Sequence, residues 1–221
     1  MSFIHRKAVK MKNFGISSLL YIGAFLAITT FVSCDSDDDD TTTPVITQVT
    51  LNDQEIQDLK FLREEEKLAR DVYLHLYESY GLNIFNNISS SEQKHMDAVL
   101  AVMNQYDIAD AATSERGVFN NSDLQQLYND LITQGELSLI EALKVGATIE
   151  DVDIRDLKNA INATSNQDLI GMYEKLECGS RNHMRGFISQ LESNGGSYTP
   201  QFITQEAFDL VLNGAHENCG N

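Results

Sequence analysis

Four long stretches of this chain carry apolar side chains at heptad spacing, and each stretch has an acidic or imidazole side chain in the middle of its apolar stripe. Heptad spacing places the apolar residues on one face of an α-helix. An ionised group on that face costs several kcal/mol unless it is paired or bound to a metal ion. The chain is therefore expected to fold into helices that surround a polar centre.

The pattern predicts four long helices, a crossover helix between the second and the third, and a short helix near the end, at about 53–80, 83–106, 122–133, 138–162, 166–192 and 204–212. Asp53 is expected to cap the first helix and Gly81 to end it. The sequence has no alternating strand pattern, internal repeat or Gly-rich phosphate loop. This order of elements predicts an all-α four-helix bundle with a short crossover helix and a short C-terminal helix.

Six polar residues interrupt the inward stripes well inside the long helices: Glu66, Glu92, His95, Glu150, Asp153 and His183. Glu92 and His95 form a Glu-x-x-His pair one turn apart, so both side chains project in the same direction. The four carboxylates would balance two divalent cations. A mixture of carboxylate and imidazole ligands suits iron or manganese. The pattern predicts a metal centre with one or two ions in the middle of the bundle.

Several neighbours of these residues have alternative interpretations. The charges expected to be solvated are Glu64, Glu65 and Asp71, although the adjacent Glu65 and Glu66 both remain candidates for the ligand on the first helix. Buried ion pairs are the alternative to metal binding for Glu66 and Glu150, with Arg70, Arg181 or Arg185 as partners. Candidates for side chains that support the ligands are Tyr73, Tyr173, Glu177 and Ser180.

Several stretches of the sequence resemble known proteins. Glu66-Lys67-Leu68-Ala69-Arg70-Asp71-Val72-Tyr73 resembles the first helix of the rubrerythrin branch of ferritin-like proteins. Ser91-Glu92-Gln93-Lys94-His95 is similar to the second helix of that branch, and Glu150 with Asp153 to the paired acids of the third. Residues 63–71 and 179–183 resemble more closely an uncharacterised prokaryotic ferritin-like family, a domain of unknown function. The similarity covers about residues 56–191.

This resemblance implies a ferritin-like bundle in which the six polar residues hold a di-iron centre that reacts with oxygen or hydrogen peroxide. The sequence departs from the pattern on the fourth helix, where Ser180 stands three residues before His183 in place of a glutamate. The missing carboxylate would come from Asp153, from Glu177 or from neither. The alternative function is a lipid-anchored, non-catalytic binding module with a degenerate metal site. A dimer is compatible with either function.

The first 33 residues are predicted to be a secretory signal. Basic residues at positions 6–12 precede an apolar stretch, 14–32, that ends directly before Ser33 and Cys34. This ending resembles the lipobox of bacterial lipoproteins, here of the Bacteroidetes type, which implies that Cys34 is lipidated. An uncleaved membrane anchor is the alternative. Residues 34–50, acidic and rich in threonine, are predicted to be a linker, and residues 51–221 the bundle domain. The expected location is the cell envelope, anchored to the outer membrane and facing either the periplasm or the medium.

Charge and cysteine content limit the remaining functions. The 221 residues include 16 basic and 33 acidic side chains, a formal net charge of −17, which repels phosphate backbones and argues against nucleic-acid binding. Apart from Cys34, the chain contains Cys178 and Cys219. In an exported protein these two would form a disulfide that pins the C-terminal tail to the last long helix, or would remain free thiols.

Overall fold

The computed structural model describes residues 50–220, and all regular secondary structure in this range is helical. The helices are α1 (Asp53–Tyr80), α2 (Asn83–Gln105), α3 (Ser122–Gly135), α4 (Leu139–Ala163), α5 (Gln167–Ser193) and α6 (Gln205–Asn213). The all-α bundle predicted from the sequence is confirmed. The predicted signal, the lipidation site Cys34 and the linker up to residue 49 lie outside the described residues. Within residues 50–220, no helix is long and apolar enough to span a membrane.

The bundle consists of two helical hairpins joined by a long crossover. A tight turn at Gly81, whose φ is 65°, connects α1 to α2, and residues 164–166 connect α4 to α5. In the square of long helices, α1 packs against α2 and α4, and α5 packs against the same two helices. The crossover comprises a loop, residues 106–121, and α3. The Tyr80 hydroxyl donates to the carbonyl oxygen of Gly135 at 2.8 Å and fastens the end of α3 to the end of α1.

Polar residues directly before the helices determine where the helices begin. The side-chain oxygen of Asn52 accepts the backbone N–H groups of Gln54 and Glu55, and the Glu55 side chain bonds back to the backbone of Asn52. This capping box makes Asn52 the cap of α1, so the prediction of Asp53 was wrong by one residue. Gly81 ends α1 as predicted, because its left-handed conformation lets its N–H reach the carbonyl of Tyr77.

Two clusters of buried apolar side chains fill the bundle. The larger includes Val72, Phe85 and Phe187, and the smaller is built around residues such as Leu59 and Val99. On α1, α2 and α5 the predicted ligands lie between the residues that belong to the two clusters. The polar centre is therefore enclosed by apolar packing at both ends, which shields its charges from water.

The acids on α1 that were expected to be solvated are buried: Glu64, Glu65 and Asp71. The Glu64 carboxylate accepts the backbone N–H groups of Asn120 at 2.6 Å and Asn121 at 3.1 Å. Asp71 accepts the backbone N–H of Gly117 at 2.9 Å. The expectation was wrong because the crossover folds back over this face of α1 and uses these two carboxylates as hydrogen-bond acceptors.

Lys67 extends the same contact between α1 and the crossover. Its side chain is fully buried, and its Nζ donates to Asp71 Oδ2 at 2.5 Å and to the carbonyl oxygen of Glu115 at 2.8 Å. The ammonium group also lies 4.4 Å from the ring centroid of Phe119. Arg70 contributes a second cation to Asp71, at 2.7 Å. Charged residues of α1 thus fasten the crossover loop to the bundle.

The C-terminal segment is attached to α5 by covalent and ionic contacts. Cys178 and Cys219 form a disulfide, which is one of the two alternatives that the sequence left open. Glu217 pairs with Arg181 and Arg185 at 2.6 and 2.5 Å. Neither arginine therefore serves as the partner of Glu66 or Glu150 that the sequence allowed.

The Asp71→Asn substitution is predicted to destabilise the bundle. It removes the carboxylate charge from a pair in which Lys67 is fully buried, and an uncompensated buried charge of this kind costs about 3–5 kcal/mol of unfolding free energy. Urea denaturation followed by circular dichroism measures the loss. Glu78→Gln is the control. Glu78 lies on the same helix as Asp71 but forms an exposed pair with Arg116 of the loop, so this substitution should leave the midpoint unchanged. An equally unchanged midpoint for Asp71→Asn would contradict the anchoring role.

Candidate metal centre

Glutamates and histidines from the four long helices converge in the middle of the bundle. They form two groups of three, Glu66 with Glu92 and His95, and Glu92 with Glu150 and His183. In each group, one ligand atom from each residue lies within 4.8 Å of the other two. Glu92 belongs to both groups. The structure therefore brings together five of the six residues that the sequence predicted as metal ligands.

Glu92 lies between the two histidines. Its Oε2 is 2.8 Å from Nδ1 of His95, and its Oε1 is 2.8 Å from Nδ1 of His183. The two imidazole rings stack with their centroids 5.4 Å apart. Each oxygen of one buried carboxylate thus faces a different histidine.

The same ring nitrogen of each histidine also faces a second carboxylate. Glu66 Oε2 lies 3.2 Å from Nδ1 of His95, and Glu150 Oε2 lies 3.4 Å from Nδ1 of His183. The two groups consequently have the same composition: one histidine, one glutamate of their own and one oxygen of Glu92.

Several polar atoms of these groups are buried without a hydrogen-bond partner: Glu66 Oε1, both carboxylate oxygens of Glu92, Glu150 Oε2 and His183 Nδ1. His183 Nδ1 is close to Glu92 and Glu150 but meets neither oxygen at a hydrogen-bonding angle. Ligand atoms about 2.1 Å from one cation, at right angles to each other, are about 3 Å apart. The atoms of each group are therefore spaced as atoms that could share one cation.

Burial and the facing charges shift the protonation of these groups in opposite directions. Burial raises the pKa of Glu66 to about 7, although His95 opposes the shift. Burial alone would lower the pKa of His183, but the nearby carboxylates of Glu92 and Glu150 raise it to about 10. Burial alone would raise the pKa of Glu92, but the two imidazoles outweigh burial and lower that pKa. A cation that binds here must therefore displace imidazole protons.

Two hydroxyl groups support the second of these groups. The Tyr73 hydroxyl donates to Glu150 Oε1 at 2.6 Å, and Ser91 Oγ lies 2.9 Å from His183 Nε2. Tyr73 was predicted from the sequence as a supporting side chain, whereas Ser91 was missed. When the Nε2–H group donates a hydrogen bond to Ser91 Oγ, Nδ1 is the ring nitrogen that faces the carboxylates.

Gly179 on α5 makes room for His95. A Cβ atom at this position would lie 2.5 Å from His95 Nε2. The sequence prediction also missed this residue, although it stands in the Gly-Ser-Arg-Asn-His stretch on which the family resemblance depends. Only glycine allows the imidazole ring to lie against the backbone of α5.

Asp153 and Glu65 are buried near the centre but belong to neither group. Burial, together with the charges of Glu66 and Glu150, raises the pKa of Asp153 well above its ordinary value. The pKa of Glu65 is raised chiefly by burial and then by Asp156 of α4. Because Glu66 contacts His95 and Glu65 belongs to neither group, Glu66 is the glutamate of α1 that faces the centre.

The remaining three candidates make contacts away from the two groups. Ser180 Oγ donates to the carbonyl oxygen of Leu176 at 3.2 Å, and Glu177 pairs with Arg181 at 2.9 Å. Tyr173 packs in the smaller apolar cluster. Among residues 50–220, no hydrogen bond or ion pair joins any of these three to the converging glutamates and histidines.

Comparison with known proteins places the chain in a family. An uncharacterised protein domain, DUF2202, matches residues 55–215, a range that contains both groups. The chain belongs to the DUF2202 family. It is 48% identical over 168 residues to the uncharacterised protein MJ0754 of Methanocaldococcus jannaschii. The aligned residues cover 76% of this chain and 91% of that protein. The domain of unknown function predicted from the sequence is confirmed.

A crystal structure of a similar protein has also been solved. The crystal structure of the hypothetical protein MJ0754 from Methanococcus jannaschii DSM 2661 is similar to this one, with a TM-score of 0.76 at 47% sequence identity. The likeness covers 77% of this chain and 98% of the solved chain. The bundle is therefore shared over nearly the full length of that protein.

Gly179→Ala is predicted to lower the pKa of His95. The Cβ would lie 2.5 Å from Nε2 and force the imidazole out of the position in which its Nδ1 faces Glu92 and Glu66. Burial opposes but does not cancel the effect of these two carboxylates, which raise the pKa well above the ordinary histidine value. NMR titration of the imidazole signals after removal of metals by a chelator measures the change. Gly171→Ala on the same helix is the control, because its Cβ would point into open space. An unchanged His95 pKa in Gly179→Ala would contradict the packing described here.

Proposed function

We propose that this DUF2202 domain is a ferritin-like metal-binding protein whose di-iron carboxylate centre reacts with oxygen or hydrogen peroxide. The observation that carries the proposal is the position of Glu92, which offers one carboxylate oxygen to each of two ligand groups. A carboxylate shared in this way would bridge two cations, which in two-metal sites lie about 3.5–4 Å apart.

The arrangement of the helices supports this proposal. Ferritin-like bundles have one long crossover connection, and their metal ligands are one glutamate from each of two helices and a Glu-x-x-His pair from each of the other two. Here α1 and α4 contribute Glu66 and Glu150, and α2 contributes Glu92 with His95. The fourth helix, α5, supplies His183 without a glutamate. The bundle thus matches the ligand plan at all positions but one.

The donor set also fits iron. Buried carboxylates combined with imidazoles suit iron or manganese, whereas ligands that are all oxygen would favour calcium or magnesium. The carboxylates of Glu66, Glu92 and Glu150 offset three of the four charges of two divalent ions, and Asp153 is a fourth carboxylate beside them. Bound cations would also satisfy the carboxylate oxygens that are buried without a hydrogen-bond partner. Manganese, or a single ion, is compatible with the same ligands.

The proposed chemistry needs little more from the protein than binding and shielding. Two ferrous ions, when bound, supply the two electrons that with two protons reduce oxygen to hydrogen peroxide, or hydrogen peroxide to two waters, as both ions become ferric. Glu92 would hold the ions at a fixed separation, while Glu66 and Glu150 offset their charge. The two apolar clusters at either end of the polar centre keep bulk water away from these side chains. Small substrates such as oxygen and peroxide suit so enclosed a centre.

Glu92→Gln is predicted to abolish binding of at least one of the two ions, because the neutral amide cannot bridge them. The full chain, loaded with ferrous iron without oxygen and desalted, should retain about two irons per chain. The substituted protein should retain at most one. Glu177→Gln is the matched control: it neutralises another glutamate of similar helical setting that pairs with Arg181, and should retain both irons. Elemental analysis gives the counts.

The same preparations separate the proposed enzyme from the alternative. Addition of limiting hydrogen peroxide should oxidise about two irons for each peroxide consumed, followed by absorbance. Iron that binds but is not oxidised, or a single bound iron, would instead favour the non-catalytic binding module. The position of the Ser180 hydroxyl, bonded to a carbonyl of its own helix, is the observation in favour of that alternative. No bound metal in a folded protein would overturn the di-iron proposal and leave the non-catalytic binding module.

We also propose that Cys34 anchors the protein to the outer membrane through a lipid. The disulfide between Cys178 and Cys219 supports export, since disulfides persist in oxidising compartments. Replacing Cys34 by alanine should abolish incorporation of labelled palmitate in the producing cells and move the protein out of the membrane fraction. Cys219→Ala is the control and should keep the label. A labelled Cys34→Ala protein would contradict the anchor.

A further inference from the structure

The two ligand groups have the same composition but unequal support. In the group around His183, both outer atoms are engaged: Glu150 Oε1 accepts from Tyr73, and His183 Nε2 bonds to Ser91. In the group around His95, Glu66 Oε1 is buried without a hydrogen-bond partner. Within the part of the chain that the structure describes, no hydrogen bond holds His95 Nε2, which packs against Gly179 instead.

We infer that the proposed centre has two unequal metal positions, of which the Glu150–His183 position binds more tightly and fills first, and that Tyr73 and Ser91 are the positioning residues responsible. The inference rests on the proposed metal function. It concerns the order and strength of binding, which that function leaves open.

Tyr73 positions Glu150 because its own hydroxyl cannot move freely. The side chain is fully buried, and its ring packs against Phe187 and Phe85 with centroids 5.1 and 6.5 Å apart. With Oε1 held at 2.6 Å by this hydroxyl, Glu150 presents Oε2 to the centre. A carboxylate ordered before the cation arrives loses less conformational freedom on binding, and binding is therefore tighter.

Ser91 positions His183 in two ways. By bonding to Nε2 it orients the ring and leaves Nδ1 as the atom that faces Glu92 and Glu150. It also directly precedes Glu92 on α2. The bridging carboxylate and the group that orients the histidine therefore belong to one rigid helix. Loss of such an outer contact lowers metal affinity about 10- to 100-fold in other proteins.

Glu66 and His95 lack equivalent contacts. The free Oε1 of Glu66 can join or leave a cation. Among the described residues, the His95 ring bonds only within its own group, through Nδ1 to Glu66, and its Nε2 lies in the space that Gly179 provides. The cation at this position must order its own ligands on arrival. The His95 position therefore binds its cation more weakly than the His183 position, and its ligands are the ones that adjust.

Titration of the full, chelator-treated chain with cobalt(II), followed by calorimetry and visible absorption, tests the inference. The unsubstituted protein should bind cobalt in two steps. Glu66→Gln should remove the weaker step, which assigns it to the His95 position. Tyr73→Phe and Ser91→Ala should each lower the affinity of the tighter step about 10- to 100-fold and change its absorption bands, with the weaker step nearly unchanged. Ser91→Thr, which keeps the hydroxyl, should restore the tighter step.

The outcomes separate this inference from the proposed function. Two steps of equal affinity would overturn the inequality, and loss of the tighter step in Glu66→Gln would overturn its assignment to the Glu150–His183 position. Either result would leave the metal function intact. Unchanged binding in both Tyr73→Phe and Ser91→Ala would overturn their positioning role. Absence of any cobalt binding would overturn both proposals. Should Tyr73→Phe unfold, the Ser91→Ala and Ser91→Thr pair decides the question alone.

Discussion

The burial of Glu92 between two histidines is the interaction on which the middle of the bundle depends. A carboxylate only 1% exposed and without a partner would cost several kcal/mol, and here His95 and His183 each lie 2.8 Å from it. Because the histidines also face Glu66 and Glu150, compensation of charge extends across four helices. A helix displaced by one residue would leave a buried charge unpaired. The polar centre therefore helps to set the register that the apolar clusters stabilise.

The charged residues in the middle of α1 make contacts on two faces of the helix. Glu66 points to the centre, whereas Arg63, Lys67 and Asp71, spaced four residues apart, point to the crossover loop. Arg63 forms two hydrogen bonds with Asp110, at 2.9 and 3.0 Å. The helix is consequently buried around most of its circumference although its middle is almost entirely charged. Arg63, Lys67 and Asp71 each have a partner on the loop or within the helix, which is the condition for burying them.

Sequence periodicity predicted those features that depend on one helix alone. It gave the helix positions and the inward direction of Glu66, Glu92, Glu150 and His183, because the geometry of an α-helix dictates which residues share a face. It failed for Glu64 and Asp71, whose burial depends on a loop without any periodic pattern. Ser91 and Gly179 were missed for a related reason. They act on a histidine of the neighbouring helix, and such contacts depend on how helices pack rather than on the stripe of either one.

Helix α5 has Ser180, and no carboxylate, one turn before His183. In the ligand plan of ferritin-like bundles this position would carry a carboxylate one turn before the histidine. Here the serine hydroxyl bonds to Leu176 on its own helix, so α5 offers His183 no acidic partner. The histidine is instead held from α2, by Ser91 on one ring nitrogen and Glu92 near the other, and from α4 by Glu150. Because α5 contributes no carboxylate to either group, Glu92 is the one carboxylate that both groups share, and the Ser91 hydroxyl beside it orients the ring of His183.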